Sequence, residues 1–407
     1  MLKITNYFSK EGLGVLCLMI PLLAKWCLPP GLEERLYVDV LGIFYLFLPN
    51  ILLLFTPLLF TKVKKRNSFQ FAAYCLWVLA AVVVVLFSKS QNPTYNIFSN
   101  NFLAGALYLG LFHKCSLRQA EMIRPLLYFG GIVIALQFII FGSGMVKYDF
   151  GGDGSEFGGI LRVYSTAGAA TGAGAILAIL AVLSFYTGGN RILKWVVLIV
   201  AIIGVFFTIS RSPIALLVIM AVFLIFHYRK TKKKVGIYIF IGALALYGAG
   251  VFDPILERQE QKREADNFWS RRDDLMSETL SHVKSEDAYL FGLGVGNVYE
   301  STEVIYSKKK APFAGAPHNS YILLFSEQGI WGILCITIML LLFITKSLRR
   351  NGELTMFYIF VMVTVFFSET ATTTNSEYVY LTALLMMMIN SDNKFEAFHF
   401  KEKNIRV

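Results

Sequence analysis

The chain has 407 residues, 56% of them hydrophobic, a formal charge of +11 and a mean hydropathy of +0.58. Soluble globular domains carry about 45–50% apolar residues. Here apolar runs long enough to cross a hydrocarbon core of about 30 Å recur from end to end, which excludes a soluble enzyme and implies a polytopic membrane protein.

The positive charge does not point to nucleic acid, because the basic residues gather in the short loops between apolar runs, as the positive-inside rule requires. The cysteines Cys17, Cys27, Cys75, Cys115 and Cys335 stand mostly in or beside those runs and at no metal-ligand spacing. None falls in the long polar segment, so no disulfide framework is implied.

In chain order the expected spans are Gly12–Leu28, Leu36–Phe60 with a kink at Pro49-Asn50, Phe69–Phe87, Phe98–His113 and Pro125–Gly142. Thr166–Tyr186, Leu193–Ile209, Pro213–His227 and Val235–Val251 follow. Ile322–Ile344, Met356–Phe367 and Tyr378–Ile389 close the series. The first run has no small-residue cleavage site after it and ends at Pro29-Pro30, so it is expected as a span and not as a signal peptide.

The basic clusters Lys62–Arg66, Lys114 with Arg118 and Arg124, Arg191 with Lys194, Arg229–Lys234, and Lys346 with Arg349 and Arg350 fall on alternate loops. About twelve spans put all of them, and both termini, on one side, the cytoplasm. The expected division is 1–251 for the first nine spans and 252–319 for a large periplasmic or external loop with short helices. The last three spans and a cytoplasmic tail take 320–407.

The loop from Asp253 to Asn319 then faces outside, together with Ser143–Ser165 and the turn Ser210-Arg211-Ser212. That side offers no ATP and no nucleotide sugar, so a reaction there needs a donor already activated, most simply one carried on a lipid. Within the loop, Arg258–Asn267 is strongly charged, and Arg272, Leu275, Thr279 and Leu280 form an amphipathic stripe.

Neither glycine cluster, Phe291–Asn297 or Gly151–Gly159, is a nucleotide loop, because the spacing is not GxGxxG and no βαβ unit surrounds it. Glycines so placed serve tight turns or let backbone approach a ligand closely. Arg211 lies between two apolar spans, with Pro213 suited to the first helical turn that follows. An arginine there can snorkel to the interface. The positive-inside rule disfavours it on the outer side, and its guanidinium suits bidentate phosphate binding.

Arg162 precedes the small-residue run Ser165–Gly174, which suits tight helix packing, and by itself reads as a loop charge. His318 can exchange a proton near neutral pH, and no second histidine or cysteine stands at metal-ligand spacing from it. Glu327, further along the same helical run, would be costly unless paired or facing a cavity.

Taken in order, Thr208-Ile-Ser-Arg-Ser212, the Arg272–Leu275 helix, Leu290-Phe-Gly-Leu-Gly-Val-Gly-Asn297 and His318–Gly332 resemble the O-antigen polymerase and O-antigen ligase superfamily of bacterial envelope glycosyltransferases. The resemblance covers about Arg162 to Gly332. It implies an all-α, GT-C-like membrane glycosyltransferase with one long external loop, in the bacterial cytoplasmic (inner) membrane. It also implies an undecaprenyl-diphosphate-linked glycan as donor, and neither cofactor nor metal.

By position, the resemblance makes His318 and Arg272 the catalytic groups, His318 assisting the acceptor hydroxyl. Arg211 and Arg272 would hold the diphosphate, with Arg271 as the alternative to Arg272 and Arg162 as a weaker addition. Asn319 and Glu327 would support them. Such a reaction needs cations to take up leaving-group charge and a base for the incoming hydroxyl, which these residue types supply.

The expected partners are the lipid-linked glycan, the bilayer, and a chain-length regulator or other envelope-assembly protein, with no nucleic acid. The favoured activity is polymerisation of O-antigen or capsular repeat units, and the alternative is ligation of finished glycan to lipid A–core. A transporter or flippase is more distant. It would show an internal repeat and helices broken at the membrane midplane, and the sequence shows neither.

Overall fold

The computed structural model describes residues 7–27, 68–87, 93–142, 170–187, 189–208, 212–219, 272–294, 319–368 and 376–391, with single positions 52, 56, 59 and 298. In hydrocarbon every backbone N–H and C=O has to be bonded within its own segment, so long apolar runs fold as helices.

Ten helices are bounded among the described residues: α1 (Lys10–Cys27), α2 (Ser68–Phe87), α3 (Pro93–Phe112), α4 (Leu117–Gly142), α5 (Ala170–Tyr186), α6 (Arg191–Phe207), α7 (Arg272–Ser285), α8 (Ser320–Leu348), α9 (Gly352–Ser368) and α10 (Ser376–Ile389). Residues 212–219 are helical too, and no strand occurs among the described residues. The chain is all-α there, as expected.

Most boundaries fall within a few residues of the expected spans. The exception is α4, which starts at Leu117, with Pro125 inside the helix. Its start is set by a reciprocal cap. The Ser116 N–H donates to Gln119 Oε1 at 2.8 Å, and the Gln119 N–H to Ser116 Oγ at 3.1 Å. The expected spans Leu36–Phe60 and Val235–Val251 lie wholly or almost wholly outside the described residues, as does Arg258–Asn267. Among the described residues two helices are long and apolar enough to cross a membrane, Leu117–Gln137 and Ser320–Leu348, alongside six shorter apolar helices.

α4 packs against α1, α5 and α6, while α8 packs against α2 and α9, and α10 against α3, α5 and α9. Small residues set several of these distances. A Cβ at Gly130 of α4 would meet the ring of buried Trp26 at 2.5 Å. One at Gly174 of α5 would meet Pro213 at 2.8 Å and Thr208 at 2.9 Å. The end of the small-residue run therefore abuts the segment that brackets Arg211. On α8, Ile330, Leu334, Ile338 and Leu341 form an exposed apolar stripe, a surface suited to lipid.

Side-chain bonds and one main-chain bond gather the loops at one end. Tyr7 OH donates to Met122 O at 2.9 Å, and Arg124 Nε and Nη2 donate to Thr187 O at 3.1 and 2.8 Å. Asn390 Nδ2 donates to Gly110 O at 2.7 Å, and Asn351 Nδ2 to Ile389 O at 2.6 Å. The Cys115 N–H donates to Met387 O at 3.1 Å. Lys114, Arg118, Arg124, Arg349 and Arg350 thus share this end. Burial, then the Arg350 charge, lowers the Lys114 ammonium, and burial pushes the Cys115 thiol up to about 12.

Candidate functional site

α8 starts at Asn319, whose extended backbone (φ −149°, ψ 111°) lets its side-chain oxygen accept from Tyr321 N at 3.0 Å and Ile322 N at 3.1 Å. This is an N-cap and satisfies amides with no partner in the first turn. His318 is the residue immediately before the cap and lies outside the described residues.

Further along, α8 is interrupted. Gly329 has φ 65° and ψ −169°, so the carbonyls of Ser326 and Glu327 lose the amides that a continuous helix would give them. The turn at 289–294 replaces those bonds. Leu293 N donates to Ser326 O at 2.7 Å and Gly294 N to Glu327 O at 2.9 Å. In return, Ile330 N donates to Tyr289 O at 2.8 Å and Trp331 N to Leu290 O at 3.2 Å. Two helical bonds are exchanged for four bonds to a separate segment.

Only glycine permits this contact. A Cβ on Gly292 (φ 78°) would lie 2.3 Å from the Glu327 carbonyl carbon, and one on Gly329 would lie 2.4 Å from that of Leu290. The two backbones interlock. Gly332 leaves room for the Gln328 side chain, whose Oε1 accepts from Trp77 Nε1 of α2 at 2.6 Å. Ser326, Glu327 and Gln328 are all buried. Gly292 and Gly294 thus serve a turn in close approach to the protein's own main chain.

α7 leads into that turn. Thr279 and Val283 are buried and Leu275 is half-buried, whereas Leu280 is 40% exposed. The face of α7 turned into the protein therefore carries Thr279 and Val283 with half-buried Leu275, and Leu280 of the expected amphipathic stripe stands exposed beside it. His282 and Lys284 sit in the last turn, where cations complement the helix dipole.

Of the expected site residues, Asn319 and Glu327 lie on α8, one capping it and the other buried at its break. Arg272 opens α7, and its side chain is not among those described. Arg162, Arg211, Arg271 and His318 lie outside the described residues. An apolar cavity of about 110 Å³ lies beside the start of α8, lined by Ser320, Tyr321, Leu324, Leu107, Tyr358 and Met386 among others.

A family model described as O-antigen ligase matches residues 196–337. The match runs from the first turns of α6, across the whole polar segment, to just beyond the break in α8. That match, over about a third of the chain, supports the O-antigen polymerase and ligase superfamily. No curated protein matches the chain.

Proteins of the O-antigen ligase family are membrane proteins, in keeping with the apolar helices here, and the match supports a glycosyltransferase-type role in polysaccharide assembly. Both halves of the junction, 289–294 and 326–331, fall inside the matched domain. α8 is broken at Gly329, a break that the apolar pattern of the sequence does not show. The turn 289–294 supplies the bonds that the break leaves open.

Proposed function

We propose that this chain is a membrane glycosyltransferase of the bacterial cytoplasmic membrane. It transfers glycan from an undecaprenyl-diphosphate donor on the outer face, as the polymerase that joins repeat units of O-antigen or capsular polysaccharide. The observation that carries this reading is the family match across 196–337, which spans the polar segment and the α8 helix that anchors it. The gathering of Lys114, Arg118, Arg124, Arg349 and Arg350 at the opposite end from the start of α8 supports an outer-face site, by the positive-inside rule.

In this reading the acceptor hydroxyl bonds to the anomeric carbon of the donor sugar while the bond from that carbon to the diphosphate oxygen breaks. The hydroxyl proton passes to His318. Arg211 and Arg272 take up the charge of the departing undecaprenyl diphosphate, with Arg271 as the alternative to Arg272 and Arg162 as a further cation. Asn319 holds the start of α8 directly after His318, and Glu327 supports the break.

A second reading, ligation to lipid A–core, is favoured by the description of the matched family, which names a ligase. The test is purified protein in liposomes with lipid-linked repeat unit as the sole substrate, run beside His318→Ala. A ladder of glycan lengths that disappears in the variant is the expected result. Transfer only when lipid A–core is added makes the chain a ligase. Silence under both conditions overturns the glycosyltransferase reading and favours transport.

A further inference from the structure

We propose that the junction between the turn 289–294 and the break in α8 is a positioning device. It fixes the start of α7, with Arg272, relative to the start of α8, with Asn319 and the His318 before it. The role assigned to those residues rests on the function proposed above. The junction itself rests on the geometry.

Both helices run toward the junction. α7 reaches it through Ser285 and the turn 286–288, and the first segment of α8 ends there at Gly329. At 1.5 Å per residue, Arg272 begins about 20 Å back along α7 and Asn319 about 15 Å back along α8. The two helices are rods with a common vertex, and their far ends carry proposed site residues. A rotation of about 3° at the vertex moves the tip of a 20 Å rod by about 1 Å, a misplacement that can cost about a hundredfold in rate.

The vertex is built to resist such rotation. Four main-chain bonds cross it, and main chain has no alternative rotamers through which to relax. The Cβ positions of Gly292 and Gly329 are each filled by the opposing backbone, so the segments cannot slide past each other. Trp77 from α2 holds Gln328 beside the break, and Gln70 Nε2 donates to Met339 O at 3.1 Å lower on α8. A loop tethered only by side chains would leave Arg272 free to wander. Here the tether is backbone.

The test uses the full chain and the variants Gly292→Ala and Gly329→Ala. A milder variant, Gly294→Ala, adds strain at φ 98° and carries the same readouts if the others fail to fold. The first readout is the distance between spin labels at Ser277 on α7 and Tyr321 on α8, with the native cysteines replaced. A single narrow distribution that broadens or shifts in the glycine variants is expected. An unchanged distribution overturns the proposal.

The second readout is a double-mutant cycle in the transfer assay. Gly329→Ala is expected to lower turnover about a hundredfold, with a smaller change in donor KM. It should cost nothing further on an Arg272→Ala background, because the two changes remove the same placement. Losses that simply add would mark a general loss of fold and overturn the positioning role. A wild-type chain that transfers nothing sinks the proposed reaction. The label distances still decide whether the junction fixes the two helices.

Discussion

At one end of the bundle, Asn390, Asn351 and Arg124 reach out with their side chains to carbonyls left over where α3, α10 and α5 finish. At the other, the turn 289–294 meets the broken α8 main chain to main chain, with glycine on both sides of the contact. Both arrangements satisfy orphaned backbone groups, which membrane helices must do. They differ in tolerance. A side-chain clamp loses one or two bonds when truncated, and its neighbours can shift. A glycine junction has no space for a single added methyl group.

The largest expected effect is therefore at the junction. Gly329→Ala should destabilise the protein by about 3 kcal/mol or more, by overpacking combined with backbone strain, measured by reversible denaturation in detergent. A loss no larger than that of a clamp variant would erase the contrast. Asn390→Ala comes next, at about 2 kcal/mol, because it leaves the carbonyls of Gly110 and Leu111 without their shared donor.

Asn319→Ala should cost about 1 kcal/mol through the lost cap, with Asn319→Asp restoring most of it. If Asn319→Asp restores stability but not transfer, Asn319 has a role beyond capping. The smallest effect belongs to Lys114. Burial and Arg350 lower its ammonium below the ordinary 10.5, so the folded chain binds that proton more weakly than the unfolded chain. Its contribution to stability rises as pH climbs from the lowered value to 10.5. Lys114→Gln should remove that slope and change stability by less than about 0.5 kcal/mol, since solvent still screens this half-buried charge.

Much of this scaffold was legible in the sequence, because apolar runs bounded by charge coincide with helices such as α1, α2 and α10. The start of α4 was not. Lys114, Arg118 and Arg124 read as a loop, while the Ser116–Gln119 cap that starts the helix lies among them. The break in α8 also escaped, since Ile330 and Trp331 continue the apolar pattern past Gly329. What breaks the helix is a partner turn far earlier in the chain, and no local period records that. The local clue was Gly329 inside a helical pattern, a residue that costs a helix about 1 kcal/mol relative to alanine.

The site was legible only as an order of motifs. Asn319 and Glu327 take definite structural places as cap and buried break residue. Position alone could not separate such roles from substrate contact. Leu280 shows the same limit: it continues an apolar stripe on paper, yet Val283 occupies the buried face.

Hydrogen exchange at the junction tests the central claim most directly. The side chains of Leu290 and Phe291 are 65% and 45% exposed, so an ordinary surface turn here would exchange quickly. If the turn is bonded into α8, the amides of Leu293, Gly294, Ile330 and Trp331 should exchange as slowly as those of the buried helices, and Gly329→Ala should release all four together. Fast exchange at Leu293 and Gly294 in the unaltered protein would contradict the account, because the loop would then be tethered by nothing that could hold Arg272 in place.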